Sequence, residues 1–244
     1  MKAGTSAPLE LSRISKSYNG FQALHNISLS VSPGEILAVI GADSAGKSTL
    51  AKIICGLEYP DSGHLVLDHV SVIFRSVGEA RDYGIELASR DEILSDSLDI
   101  AHTIFLGRYP RKLGFLIDKK EMYKQTRYLL DKAGLPHLSE RQAISELSGG
   151  IRQIIAIIRA AAFHPRFMIY DEPMMNLSAN AVTHAKNFIR SLADTGTAQI
   201  IATRQPEEIL DISHRIIVMR RGRIITEIPA AKAIASELNA LMIL

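Results

Sequence analysis

Apolar and polar residues alternate from Leu9 to Ser17 and again from Ala23 to Val31, which predicts two half-buried strands. Ser32-Pro33-Gly34 turns the chain into a nearly unbroken apolar stretch, Glu35 to Ile40, expected for a strand buried on both faces. Gly41 to Gly46 is a loop, and Lys47 to Gly56 has the spacing of an amphipathic helix ended by a glycine. Tyr59-Pro60-Asp61-Ser62-Gly63 is a turn leading to a strand pair around Leu65 to Phe74. From about Asp91 to Ala162 the pattern is mostly helical. After His164-Pro165 it returns to strands at Arg166 to Tyr170, Ala198 to Thr203 and Arg215 to Met219. Arg221-Gly222 then turns a short hairpin into Arg223 to Ile228. Strands alternating with helices predict an α/β fold with a mainly parallel sheet. The block from Asp91 to Ala162 reads as an inserted helical subdomain, with no internal repeat and no low-complexity linker.

Composition narrows this picture only a little. With 244 residues, 47% of them hydrophobic and 22% charged, the chain can bury a full core. A net charge of +2 gives no electrostatic case for nucleic acid, so none is expected as a partner. The single cysteine, Cys55, allows no internal disulfide and fits a reducing compartment. No apolar run follows the first six residues, which argues against a signal peptide. The apolar runs Ile154 to Ile158 and Ala160 to Phe163 are broken by Arg159 and fall short of a membrane span, so any membrane role is expected through a partner.

Two segments carry candidate chemistry. Gly41-Ala42-Asp43-Ser44-Ala45-Gly46-Lys47-Ser48 satisfies the phosphate-loop pattern between a buried strand and a helix. Successive backbone N–H groups there form a concave nest, and the helix N-terminus adds partial positive charge where phosphates sit. Lys47 is placed to reach β- and γ-phosphates, the Ser48 hydroxyl to ligate Mg²⁺, and Thr49 to extend the cradle into the helix. Phe167-Met168-Ile169-Tyr170-Asp171-Glu172 is an apolar strand ending in two carboxylates. Asp171 is expected to hold Mg²⁺ through water, and Glu172 to orient and deprotonate an attacking water.

Between these segments lies Leu147-Ser148-Gly149-Gly150-Ile151-Arg152-Gln153, heading an apolar helix from Ile151 to Phe163. Taken alone, Ser148 is a plain helix cap; its hydroxyl and the glycine N–H groups also make a second anion site. In this order the three segments resemble an ATP-binding cassette (ABC) transporter subunit, and the resemblance covers nearly the whole chain. It implies a P-loop NTPase (RecA-like) core at about 1–90 and 163–244, with an N-terminal antiparallel β subdomain, and a helical subdomain at about 91–162. It further implies ATP and Mg²⁺ as ligands and a second cassette whose nucleotide Ser148, Gly149 and Gly150 would contact. Tyr18 stands where the family stacks an aromatic ring on adenine; otherwise it is a partly buried strand tyrosine. Leu177-Ser178 falls at the loop that bridges the two subunits, with Ser178 in place of the usual aspartate.

Within the family, Ile104-Phe105-Leu106-Gly107-Arg108, Gly114-Phe115-Leu116-Ile117-Asp118 and Met122-Tyr123 are most similar to ATPases of monosaccharide importers of the ribose, galactose and xylose type. Those frequently carry two cassettes in tandem; this chain has one. The resemblance thus implies membrane permease subunits as partners, a solute-binding protein indirectly, and a peripheral place on the cytoplasmic face of the membrane.

Three further positions depart from the family pattern. Ser44 replaces a glycine and costs about 1–2 kcal/mol if that position needs a positive φ. Arg90 aligns with a glutamine that contacts Mg²⁺ and water, and Arg204 with a histidine that grips the γ-phosphate. Arginine offers only donors and a fixed charge; two like unit charges about 4 Å apart repel by roughly 4 kcal/mol at an effective dielectric near 20. Arg90 therefore cannot replace glutamine at a cation, whereas Arg204 can still bond the γ-phosphate, even bidentately. The expectation is a transport ATPase that binds ATP but hydrolyses it slowly at its own site. The alternative is an impaired cassette serving a second, active one in a heterodimer.

Overall fold

The structure is a computed structural model that describes residues 7–89 and 94–243. Two long strands, β1 (Leu9–Tyr18) and β2 (Phe21–Val31), precede β3 (Ile36–Ile40) and helix α1 (Lys47–Ile54). Next come β4 (Ser62–Leu67), β5 (Val70–Val72), α2 (Val77–Asp82) and β6 (Ile85–Ser89). They are followed by α3 (Ile100–Ile104), β7 (Arg111–Lys112), β8 (Leu116–Ile117), α4 (Lys119–Lys132) and α5 (Gly149–Ala161). The remainder is β9 (Phe167–Asp171), α6 (Ala179–Ala193), β10 (Ala198–Thr203), β11 (Arg215–Arg220), β12 (Arg223–Pro229) and α7 (Ala235–Ile243).

The chain divides into two compact units, Met1–Leu87 with Pro165–Pro173 and Leu192–Leu244, and Ala88–His164 with Met174–Ser191. In the first unit an antiparallel sheet has the order β2-β1-β4-β5. Leu11 faces Leu29 and Ile14 faces Ile27, and the register slips between Leu11 and Ile14, where Arg13 adopts φ 50°. Gly63 lies against that bulge: a Cβ there would stand 2.4 Å from the Ser12 and Arg13 carbonyl oxygens, so only glycine fits.

The larger sheet has the order β12-β11-β3-β10-β9-β6. Strands β11, β3, β10 and β9 run parallel, and β12 returns antiparallel. Every residue of β3 and β10 is buried, as expected for parallel strands covered on both faces. Thr203 pairs with Ile40, Ala202 with Asp171 and Val218 with Ile40, so the C-terminal ends of these strands form one row. In open α/β sheets that row is where ligands bind, and the loop after β3 rises from its middle. Both sheets share a core that includes Leu9, Ile14, Leu37, Val39, Ile53, Phe167 and Ile169. Inside it, the fully buried Tyr170 hydroxyl donates to Gln199 Oε1 at 2.7 Å, and burial pushes its pKa up.

In the second unit α3 packs against α4 and α5. Ile154, Ile155, Ile157 and Ile158 of α5 are fully buried. Asp99 caps α3 through the His102 N–H at 2.7 Å, and Asp118 caps α4 through the Glu121 N–H at 3.1 Å. The stretch that reads as mostly helical also holds the β7–β8 hairpin, because Leu113 (φ 53°) and Gly114 (φ 81°) reverse the chain there. Helices α2, α6 and α7 and strand β6 go beyond the elements placed from the pattern.

Candidate functional site

The loop between β3 and α1 is shaped by where a side chain cannot go. A Cβ on Gly41 would meet the Met219 carbonyl oxygen at 2.4 Å. At Gly46, with φ 102°, it would meet the Ala23 oxygen at 2.6 Å and Leu24 Cδ2 at 2.8 Å. Ser44 does adopt a left-handed backbone, φ 62°, so the strain anticipated for a non-glycine residue is present. The Ala45 carbonyl accepts from the Gly222 N–H at 3.1 Å, which ties the loop to the β11–β12 turn.

Lys47 begins α1 with its side chain turned back into the loop. Its ammonium donates to the carbonyls of Gly41 at 2.8 Å and Ala42 at 3.1 Å. It also lies 3.7 Å from Glu172 Oε1. Burial lowers its pKa, and the negative charges of Glu172, Asp43 and Asp171 oppose that shift. Ser48 Oγ donates to Asp171 Oδ1 at 3.0 Å. The phosphate loop and the acidic strand end therefore meet through two side-chain contacts.

Glu172, one residue past β9, adopts φ 51°. For a non-glycine residue this is strain of about 1–2 kcal/mol, held in place because its N–H donates to the Ala202 carbonyl at 2.9 Å. Its Oε2 accepts from Thr203 Oγ1 at 3.2 Å and the Arg204 N–H at 3.3 Å. Thr203 is thus a site residue that motif reading misses; the signal for it is register, since β10 must end level with β9. Arg204 Nη1 donates to Asp43 Oδ2 at 3.1 Å, so this guanidinium reaches the loop apex. Arg90 lies outside the described residues. Tyr18 ends β1 opposite Phe21 across the Asn19-Gly20 turn, 37% exposed, with the Lys16 ammonium 5.5 Å from its ring centroid.

Ser148, Gly149 and Gly150 belong to the second unit. The Ser148 hydroxyl caps α5 by accepting from the Ile151 N–H at 3.4 Å. Arg152 braces the turn, donating to the Leu147 carbonyl at 3.1 Å, the Ser145 carbonyl at 3.3 Å and Asp96 Oδ1 at 2.8 Å. The two glycines differ. A Cβ on Gly150 would meet Ala181 Cβ at 3.2 Å, whereas nothing lies within 4 Å of one on Gly149.

The loop fits a polyphosphate: glycines that exclude a Cβ, a helix N-terminus and a buried ammonium converge on it. Ser48 and Asp171 supply oxygens of the kind Mg²⁺ takes, with phosphate and water completing its shell. Among the described residues no cluster of three or more His, Cys, Asp or Glu is set to hold a metal alone.

Residues 24–175 match the family model described as ABC transporter. The chain is 37% identical over 226 residues to ribose import ATP-binding protein RbsA 1 of Streptomyces coelicolor, covering 93% of this chain and 45% of that protein. It is 32% identical to galactose/methyl galactoside import ATP-binding protein MglA of Yersinia pestis, covering 96% of this chain and 46% of the relative. It therefore spans about half the length of those relatives. Xylose/arabinose import ATP-binding protein XylG of Sulfolobus acidocaldarius is 36% identical over 217 residues, with 89% of this chain and 86% of that protein covered. In fold the chain is similar to a nucleotide-free ATP-binding cassette from an ABC transporter, with TM-score 0.80 and 23% identity over 92% of this chain and 91% of the other. The motifs, the strand-end row and these matches agree that the chain belongs to the ABC transporter family of ATP-binding cassettes.

Proposed function

We propose that this chain is the ATP-binding and ATP-hydrolysing subunit of an ABC importer for a monosaccharide or similar small solute. The observation that carries the reading is the closure of Lys47 and Ser48 onto Glu172 and Asp171, at 3.7 and 3.0 Å. Gly41 to Thr49 cradle the phosphates, with Lys47 on the β- and γ-groups, and Tyr18 takes the adenine. Ser48, and Asp171 through water, would hold Mg²⁺, which would supply positive charge to neutralise the phosphates. Glu172, fixed by Thr203 and the Arg204 N–H, accepts the proton of the attacking water.

The relatives, ATP-binding proteins for ribose, galactose and xylose import, support sugar import, and a dimeric cassette bound to ADP and Pi, similar in fold at TM-score 0.79, supports a two-cassette assembly. In that assembly Ser148, Gly149 and Gly150 serve the partner's nucleotide. The residues at about 91–162 form the helical subdomain of the cassette. The subunit works at the cytoplasmic face of the membrane against permease subunits, with a solute-binding protein acting through them. Among the described residues no helix is long and apolar enough to cross the membrane itself. Because Arg204 stands at the end of β10 paired with Asp43, hydrolysis is slower than in cassettes with histidine there.

Equilibrium ATP binding and steady-state turnover test the reading. Lys47→Ala abolishes binding, while Glu172→Gln keeps ATP affinity within about threefold and cuts turnover by about 10²–10⁴-fold. Turnover unchanged in Glu172→Gln contradicts the assignment, and faster turnover in Arg204→His supports the slowed site.

A further inference from the structure

The seven residues Arg111 to Ile117 are all exposed. Four of them are large and apolar: Leu113 is 81% exposed, Phe115 72%, Leu116 44% and Ile117 41%. Isolated apolar side chains in water are ordinary, but four within five consecutive positions form a patch that calls for a partner.

The surrounding charge says which partner. From Arg111 to Lys120 the chain carries Arg111, Lys112, Lys119 and Lys120 against a single carboxylate, Asp118. That carboxylate already caps α4 through the Glu121 N–H. Lys112 pairs with Leu116 and Arg111 with Ile117, so each cation stands across the hairpin from an apolar residue. The Asp118 N–H donates to the Pro110 carbonyl at 2.8 Å and closes the base. The hairpin is therefore preformed and loses little entropy when it docks.

We propose that the β7–β8 hairpin is a membrane-surface contact for anionic phospholipid. Leu113 and Phe115 enter the interface between headgroups and acyl chains, and the flanking cations bind the headgroup charge. Neither signal alone anchors a protein durably; an apolar insertion joined to a basic cluster does. The contact is independent of the nucleotide site.

The chain has no tryptophan, so Phe115→Trp supplies a single reporter at the tip. Full-length Phe115→Trp is titrated with phosphatidylcholine vesicles and with vesicles containing about a third phosphatidylserine, following emission and co-sedimentation. A blue shift and sedimentation are expected with the anionic vesicles only. Removing Lys112 or Lys120 by alanine weakens binding about fivefold each, and Leu113→Ser abolishes the shift. Lys47→Ala in the same background leaves vesicle binding unchanged, which separates this contact from nucleotide binding. Emission that stays constant on both vesicles overturns the proposal. So does an equal response to neutral and anionic vesicles, or a shift produced only by a purified permease in lipid-free detergent.

Discussion

Arg204 Nη1 lies 3.1 Å from Asp43 Oδ2, so the end of β10 is ion-paired to the apex of the phosphate loop. Both side chains are solvent-accessible, 38% and 78%, and such a pair adds little to stability. Its consequence is electrostatic. A carboxylate at the mouth of an anion site repels the incoming phosphates, and the guanidinium cancels that charge. Arg204→Ala is expected to weaken ATP binding about tenfold, the loss of one charge-assisted contact. Asp43→Asn in the Arg204→Ala background recovers at least about threefold of that loss. Calorimetric titration of the parent, both single variants and the double variant measures the coupling, and strictly additive effects would show that Arg204 does not act by cancelling the Asp43 charge.

Ser44 occupies φ 62° in a loop whose neighbour Gly46 has φ 102°. Glycine at Ser44 relieves the left-handed strain and loses only a side chain that protrudes from the loop. Ser44→Gly is expected to stabilise the chain by up to about 1 kcal/mol, raising Tm by about 2–4 °C. The opposite change, Gly46→Ala, meets a backbone oxygen at 2.6 Å and destabilises it. Thermal unfolding of both variants checks the pair of signs. A lower Tm for Ser44→Gly would show that the hydroxyl contributes more than the backbone strain costs.

The phosphate loop is legible in the sequence because the same two positions that define the motif, Gly41 and Gly46, are those with no room for a Cβ. The buried strands are legible for a similar reason: parallel strands covered on both faces leave unbroken apolar runs, as at Ile36–Ile40. The contacts of Thr203 and Arg204 are not legible. They follow from Ala202 pairing with Asp171, and parallel register is set by tertiary packing. The β7–β8 hairpin is hidden because two-residue strands are too short to show a period. Gly150 illustrates a further limit. Its motif position suggests room for phosphate, yet Ala181 at 3.2 Å gives it a packing reason too.

Asp68 and Arg166 form a two-pronged pair, at 2.7 and 2.8 Å, between the β4–β5 turn and the start of β9. The arginine bonds hold the Asp68 carboxyl below its ordinary pKa of 3.8. A carboxylate whose folded pKa is depressed contributes stability above its unfolded pKa and loses it as pH falls through the folded value. The contribution is therefore complete at neutral pH and disappears below pH 3.8. Because both groups are partly exposed, solvent screening keeps it modest. Asp68→Asn is expected to lower the urea midpoint at neutral pH, with the gap to the parent closing under strongly acid conditions. A gap that stays constant with pH would mean that shape, not charge, is what Asp68 supplies.

Gly149 offers the sharpest separation of folding from assembly. A Cβ added there meets nothing within 4 Å, and the residue opens α5 immediately after the Ser148 cap. Within a single chain, Gly149→Ala costs nothing sterically and gains about 0.5–1 kcal/mol of helix propensity. If Gly149 approaches the nucleotide of a second cassette, the same methyl blocks that approach, because backbone N–H groups can touch phosphate only where no Cβ intervenes. The variant is therefore expected to unfold at the parent's Tm or slightly above and to bind ATP with unchanged affinity as a monomer. Its ATP-dependent dimerisation and turnover should fall at least about tenfold, the loss of one phosphate-binding donor set. Gly150→Ala, pressed against Ala181, lowers Tm as well and serves as the contrast. Analytical ultracentrifugation with ATP, in a Glu172→Gln background that halts hydrolysis, reads the dimer directly. Full dimerisation of Gly149→Ala there would place the second nucleotide's contacts elsewhere on α5.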